Sequence, residues 1–350
     1  MIRVLIVDDS ALLRGLLRAI LAESTQIEVC GEACDAYDAR EKIKQLEPHV
    51  ITLDVEMPKM DGISFLRHLM HLHPIPTVML SVRTEQGSQL EVEALALGAV
   101  ACVHKPNGED IASIGAEIIQ KVILASHYRV HNYPGEYPSL APQLASVGTY
   151  IAGRLIALGA STGGIPAIER VLSMLPLDCP PVLIVQHIPA GFSTIFATRI
   201  NKKYQINICE AYDGQAIEAG HVYLAPGDEH LRVVKKAGRY YCQLHKGALV
   251  CYQRPAVDVL FESVAQATQG NASAALLTGM GTDGAEGLLS MRRQGCFTLI
   301  QDQASCTVWG MPGEAAALGA ANETLHLNHI AARLIESCYE KTAKVPSVKR

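Results

Sequence analysis

The chain has 350 residues, 49% hydrophobic and 19% charged, which suits two globular domains and excludes both a disordered chain and a small disulfide- or metal-stapled scaffold. Acidic residues outnumber basic ones, 35 to 30, so the whole chain has no electrostatic case for binding nucleic acid or an anionic membrane. The excess is uneven: residues 1–122 carry 18 acidic and 11 basic side chains, and residues 123–350 carry 17 and 19, which predicts two chemically different parts.

The ten cysteines form no C-x-x-C pair and have no histidine at zinc-finger spacing, the pattern of reduced thiols in a cytoplasmic protein. Asp8 and Asp9 fall inside what would be the apolar core of a signal peptide, which argues against export. The uncharged stretch Cys179 to Thr198 is broken by Pro180, Pro181, His187, Pro189 and Gly191, so no membrane insertion is expected.

In chain order, RVLIVDD, EVCGEA, VITLDVEM, PTVMLS and VACVHKP read as strands. Helical patterns follow near 11–23, 36–46, 62–72, 86–97 and 109–124. Five βα units predict a doubly wound parallel sheet over residues 1–122, with ligands at the carboxyl ends of its strands. Residues 123–150, with Pro134, Gly135, Pro138 and Pro142, read as a linker. A second series, RLIALGA, PVLIVQH, ASAALLTGM and FTLIQD, alternates with helices near 165–175, 193–204, 256–268, 285–294 and 310–318. It predicts a doubly wound, Rossmann-like α/β domain over 151–345, interrupted by an antiparallel hairpin region, HVYLAPGDEHLRVVKKAGRYYCQLHK.

In the first series Asp8 and Asp9 close strand one, Asp54 strand three, Ser81 strand four, and Lys105 with Pro106 strand five. A parallel sheet brings these ends to one edge. Converging carboxylates repel each other unless a hard, oxygen-loving cation such as Mg²⁺ neutralises them; one carboxylate can then attack a phosphoryl group while Lys105 and a hydroxyl hold its oxygens. A single strand-end acid would more often only cap the following helix, but four correctly placed strand ends point to a site. The constellation resembles the receiver domain of bacterial response regulators over essentially all of residues 1–122. The resemblance implies Asp54 as phosphoacceptor, Asp8, Asp9 and Asp54 around Mg²⁺, Ser81 as switch hydroxyl and Lys105 as phosphoryl-binding cation. Cys102 stands where receivers usually carry a switch aromatic.

In the second series Gly159-Ala160-Ser161-Thr162-Gly163-Gly164 fits G-x-S-x-G, a tight strand-to-helix turn that presents a hydroxyl, and lacks the lysine of a phosphate-binding loop. A serine needs a base, and the base an orienting acid. His187 ends the next strand, and Asp283 lies in Thr278-Gly279-Met280-Gly281-Thr282-Asp283-Gly284 after another. Backbone amides at Thr162 and Met280 are candidate oxyanion donors. A small-ester α/β-hydrolase would instead order serine, acid, histidine, with Asp213, Asp228 or Asp258 as acid and His326 or His329 as base. A DNA-binding output would need a basic face, which scattered residues such as Lys202, Lys235 and Arg292 do not supply.

Jointly, GASTGG, QHIP and GMGTDG resemble the protein-glutamate methylesterase family (CheB) of bacterial chemotaxis over roughly residues 152–345. The resemblance implies hydrolysis of glutamate γ-methyl esters on chemoreceptors with release of methanol, deamidation of receptor glutamines, phosphate from a chemotaxis histidine kinase, and no cofactor for the esterase reaction.

Overall fold

The structure, a computed structural model, describes residues 1–81, 85–106, 111–128, 148–204 and 206–340. The N-terminal part is β1 (Ile2–Val7), α1 (Ala11–Ala22), β2 (Ile27–Ala33), α2 (Ala36–Leu46), β3 (Val50–Asp54), α3 (Gly62–Leu72), β4 (Thr77–Ser81), α4 (Glu85–Ala96), β5 (Ala101–His104) and α5 (Ile111–Ser126). All neighbouring strands are parallel in the order β2-β1-β3-β4-β5. The order reverses between β1 and β3, and the crevice at such a reversal is where doubly wound sheets bind ligands. Alternation along β1 fills both faces: Val4 and Ile6 pack with Leu17, Leu21 and Ile118, whereas Leu5 and Val7 pack with Ile43 and Leu66.

The second part comprises β6 (Leu155–Ala160), α6 (Gly164–Leu172), β7 (Val182–Gln186), α7 (Phe192–Lys203), β8 (Asn207–Glu210), β9 (His221–Leu224), β10 (His230–Lys236), β11 (Arg239–His245), α8 (Val257–Thr268), β12 (Ala272–Leu276), α9 (Ala285–Arg293), β13 (Phe297–Gln301), α10 (Met311–Ala317), β14 (Glu323–Leu325) and α11 (Leu327–Glu336). Seven parallel strands run in the order β14-β13-β12-β6-β7-β9-β8. The chain winds outward from β6 on one side, then returns to build the other, so the reversal falls at β6. Every residue of β6 is buried. Ile156 and Leu158 face one core with Ile165, Phe196 and Ile330, and Leu155 and Ala157 face the other with Phe261, Leu260 and Leu288. Each large apolar side chain so buried contributes about 1.5–3 kcal/mol.

The expected hairpin region divides: β9 joins the parallel sheet beside β7, and only β10 and β11 pair antiparallel. Strands β8 and β14 and helix α11 were not expected. Helix α5 runs to Ser126, and Tyr128 is buried in the N-terminal core, so the expected linker 123–150 begins within ordered structure. Its residues 129–147 lie outside the described residues, as do 109–110 of the fifth expected helix and 341–345 of the second part.

The two parts touch through α4, whose Val92 is buried in the same core as Ile165 and Phe196, with Leu95 and Ala96 packed against it.

Candidate active site

Ser161 is the first residue after β6, at the reversal. Its turn needs small residues for steric reasons. Gly163 has φ +75°, and a Cβ there would sit 2.5 Å from Thr307; a Cβ on Gly164 would sit 2.1 Å from Gln186 Oε1. Gly279 closes the other side, its notional Cβ 2.9 Å from the Ser161 Cβ. The Ser161 N–H donates to the Thr278 carbonyl at 3.1 Å.

His187 directly follows β7, adjacent to β6. Its Nδ1 is 3.0 Å from Ser161 Oγ, and its Nε2 is 2.7 Å from Asp283 Oδ2. A carboxylate can only accept, so the Asp283 contact fixes the imidazole proton on Nε2 and leaves Nδ1 free to accept from the serine hydroxyl. The His187 and Asp283 side chains are only 7% and 2% exposed, which strengthens both bonds.

Asp283 follows β12, on the opposite side of β6. Its Oδ2 also accepts the Val257 N–H at 2.7 Å and its Oδ1 the Asp258 N–H at 2.9 Å. These are the first amides of α8, whose N-cap residue, Ala256, makes no side-chain cap. Asp258 reciprocates: its Oδ1 accepts the Gly287 N–H in the first turn of α9 at 2.7 Å. Each aspartate thus caps the helix that the other introduces or begins. Burial first, with the Asp283 charge adding to it, pushes the Asp258 carboxyl up to about 6.

Several supporting residues went unread in the sequence. Buried Gln186 donates through Nε2 to the carbonyls of Ser161 (2.8 Å) and His187 (3.1 Å), tying the serine turn to the histidine strand end. The Thr278 hydroxyl donates toward the carbonyls of Thr162 and Val308 and accepts the Val308 N–H. The only sequence signal for Gln186 is an amide in an otherwise apolar strand. Among the described residues, neither the Thr162 nor the Met280 N–H takes a backbone acceptor; Thr162 follows Ser161 directly, and Met280 follows Gly279, which packs on Ser161.

Of the alternative acids, Asp258 lies beside Asp283 and caps α9; Asp213 and Asp228 are engaged elsewhere. Asp213 accepts the Leu244 N–H, Asp228 pairs with Arg254, and the His326 side chain accepts the Asn328 N–H at the start of α11. His326 and His329 follow β14, three strands from β6, roughly 14 Å away at the spacing of sheet strands.

Ser161 and His187 open onto a cavity of about 330 Å³ whose far wall is the N-terminal part, with Glu91, Leu95, Cys102 and His104 facing it.

The second cluster lies at the β1/β3 reversal. Lys105 Nζ is 2.7 Å from Asp54 Oδ1 and 3.2 Å from Asp8 Oδ2. Oxygens of Asp8, Asp9 and Asp54 lie within 4.8 Å of one another. Asp54 is buried, and its Oδ2 has no hydrogen-bond partner. Burial pushes the Asp54 carboxyl up to about 6 despite the Lys105 ammonium, with Asp8 adding to the rise. An orphaned buried oxygen among three carboxylates fits a hard divalent cation such as Mg²⁺. The Ser81 hydroxyl is not turned to Asp54 but donates to Glu91 on α4.

A parallel sheet presenting a serine, a histidine and an aspartate in one hydrogen-bonded series, joined to a (βα)5 domain with an acidic cleft, defines the class of two-domain response regulators with a hydrolase output. A family model described as CheB methylesterase matches residues 156–334, and one described as response regulator receiver domain matches residues 4–114. A protein-glutamate methylesterase/protein-glutamine glutaminase of Saccharophagus degradans is 49% identical over 96% of this chain and 98% of its own. A homologue of the same name from Hydrogenovibrio crunogenus is 44% identical over 95% of this chain and 98% of its own. The crystal structure of the Thermotoga maritima CheB methylesterase catalytic domain superposes with a TM-score of 0.52 at 34% identity, covering 53% of this chain and 99% of that one. The chain belongs to the CheB methylesterase family.

Proposed function

We propose that this protein hydrolyses glutamate γ-methyl esters, and deamidates glutamines, on chemoreceptors, with Ser161 as nucleophile, His187 as general base and Asp283 as its orienting acid. The hydrogen-bonded series Ser161–His187–Asp283 carries this reading. The Ser161 oxygen attacks the ester carbonyl as its proton passes to His187 Nδ1, and Asp283 stabilises the imidazolium through Nε2. The amides of Thr162 and Met280 face the developing oxyanion. Collapse expels methanol, or ammonia from a glutamine, protonated by His187. Water, deprotonated by the same nitrogen, then releases the glutamate and restores Ser161. This cycle uses no cofactor.

Asp54 is the phosphoacceptor in this reading, supplied by the pathway's histidine kinase. Mg²⁺ held by Asp8, Asp9 and Asp54 would neutralise phosphoryl charge, and Lys105 would hold a phosphoryl oxygen. The receiver part runs to Tyr128, a few residues past the expected boundary at 122. Unphosphorylated, it walls in the cavity over Ser161 and so restrains the esterase. Among the described residues no helix is long and apolar enough to cross a membrane.

The test is methanol release from methylated receptor membranes. Ser161→Ala should retain under 1% of turnover with an unchanged unfolding temperature, since one hydroxyl is removed without packing loss. Substantial turnover in that variant would refute the assignment.

A further inference from the structure

Receivers usually pass the state of the phosphorylation site to their surface through an aromatic side chain, yet here the position holds Cys102, whose half-buried thiol reaches the Glu91 carbonyl at 3.7 Å. What the switch hydroxyl touches instead is Glu91. The Ser81 Oγ donates to Glu91 Oε1, and Glu91 is only 3% exposed. His104, paired with Ser81 across β4 and β5, places Nδ1 at 3.7 Å from the same carboxylate oxygen, beyond hydrogen-bonding reach. That nitrogen is buried without a hydrogen-bond partner. Glu91, Cys102 and His104 all face the cavity in front of Ser161 and His187. The residue after Glu91, Val92, is buried in the core of the catalytic part.

We propose that Glu91 is the positioning residue that couples phosphorylation of Asp54 to access at Ser161, with the Ser81 hydroxyl as its latch. The inference rests on the preceding reading that the receiver restrains the esterase. Ser81 has one hydroxyl proton to donate. In the resting protein it goes to Glu91 and fixes α4 in the register that seats Val92, Leu95 and Ala96 on the catalytic part. When a phosphoryl group on Asp54 claims that proton, Glu91 becomes a buried carboxylate without its donor. It can regain one only by moving toward His104 or out to water. Either move displaces α4, an element through which the two parts touch.

The test compares the full chain with Ser81→Ala, Glu91→Leu, Glu91→Gln and the Ser81→Ala/Glu91→Leu double variant, each with and without beryllium fluoride and Mg²⁺. Methanol release and amide hydrogen exchange over residues 89–96 are read together. Ser81→Ala should raise basal turnover at least threefold and speed α4 exchange with no phosphoryl mimic present, because the carboxylate has lost its donor. Glu91→Leu should keep basal turnover low and cut the stimulation by beryllium fluoride at least fivefold, although Asp54 and Ser81 are intact. In the double variant, basal turnover and exchange should return to the resting level. Glu91→Gln, which keeps an acceptor for Ser81 without the buried charge, should stay restrained and respond less than the parent.

Resting turnover and exchange in Ser81→Ala, or full stimulation of Glu91→Leu, would overturn the relay alone. A parent chain that beryllium fluoride does not stimulate would overturn the restraint reading and the relay together. Turnover surviving in Ser161→Ala would refute the active-site assignment, and the exchange data would still decide the relay.

Discussion

Replacing Asp283 by asparagine separates the two duties of this side chain. The carboxylate accepts three N–H groups, from His187 and Val257 on Oδ2 and from Asp258 on Oδ1. An amide has a single oxygen. If that oxygen keeps the place of Oδ2, the amide NH₂ confronts the Asp258 N–H, donor against donor. If the amide turns over, the Val257 N–H meets the NH₂, and His187 must present an unprotonated Nε2 to it, which puts the imidazole proton on Nδ1 where Ser161 needs an acceptor. Either orientation strands a buried backbone N–H, at a cost of about 1–3 kcal/mol. For a domain of this size that lowers the unfolding temperature by roughly 2–4 °C per kcal/mol. Loss of the charge or of the correct tautomer should also reduce kcat on the order of 10⁴-fold. The assay is methanol release with thermal unfolding of the same preparation, and KM should change far less than kcat. Retention of a tenth of the parent's turnover, or lost turnover with an unchanged unfolding temperature, would refute the dual role.

Gly279→Ala should lower turnover by roughly tenfold or more and stability by about 1–3 kcal/mol, because its Cβ would fall 2.2 Å from Met311 Sδ and 2.9 Å from Ser161 Cβ; steady-state kinetics and chemical denaturation check both. Asp258, raised by burial from its ordinary 3.8 to about 6, holds its proton more tightly folded than unfolded. Its stabilising contribution is therefore full below about pH 4 and is lost as pH rises through about 6. Asp258→Asn, which can still accept the Gly287 N–H, should gain unfolding temperature relative to the parent between pH 5 and 7, and a constant difference across that range would contradict this. Mg²⁺ must compete with the proton on Asp54, also raised to about 6, so ten times its dissociation constant should stabilise by about 1.4 kcal/mol. The ion concentration needed should rise steeply below pH 6, and Asp54→Asn should show little shift; an equal effect at pH 5 and 7.5 would count against these ligands.

The alternation of buried strands with amphipathic helices is written in local pattern, and so are the residues that end those strands. Ser161, His187 and Asp283 could be named because each follows a run too apolar to be anything but a central strand. Strand direction and order are not local. The four residues of β9 look like the first arm of a hairpin, and only the finished sheet shows them running parallel to β7. The three-residue strand β14 is half exposed along its length and carries too short a pattern to read. Asp283 reads in the sequence as the acid that orients His187, and nothing local shows that its carboxylate also caps α8, about 25 residues earlier in the chain. The Thr278 hydroxyl reaches a carbonyl 116 positions away, and Glu91 became visible only when α4 turned one face toward Ser81. Such partners depend on which faces of separate elements meet, which no single window of sequence contains.

The crossed capping of α8 and α9 has a consequence for descent as well as for catalysis. Asp283 is tied to folding through two amides, so a lineage that abandoned the esterase reaction would still be selected to keep it. Ser161 has no such second duty through its hydroxyl, which among the described residues bonds to His187 alone. When copies of this gene drift toward purely regulatory roles, the serine should decay first and the aspartate persist. A retained Asp283 in a relative is then a record of the fold, and a retained Ser161 is the record of the chemistry.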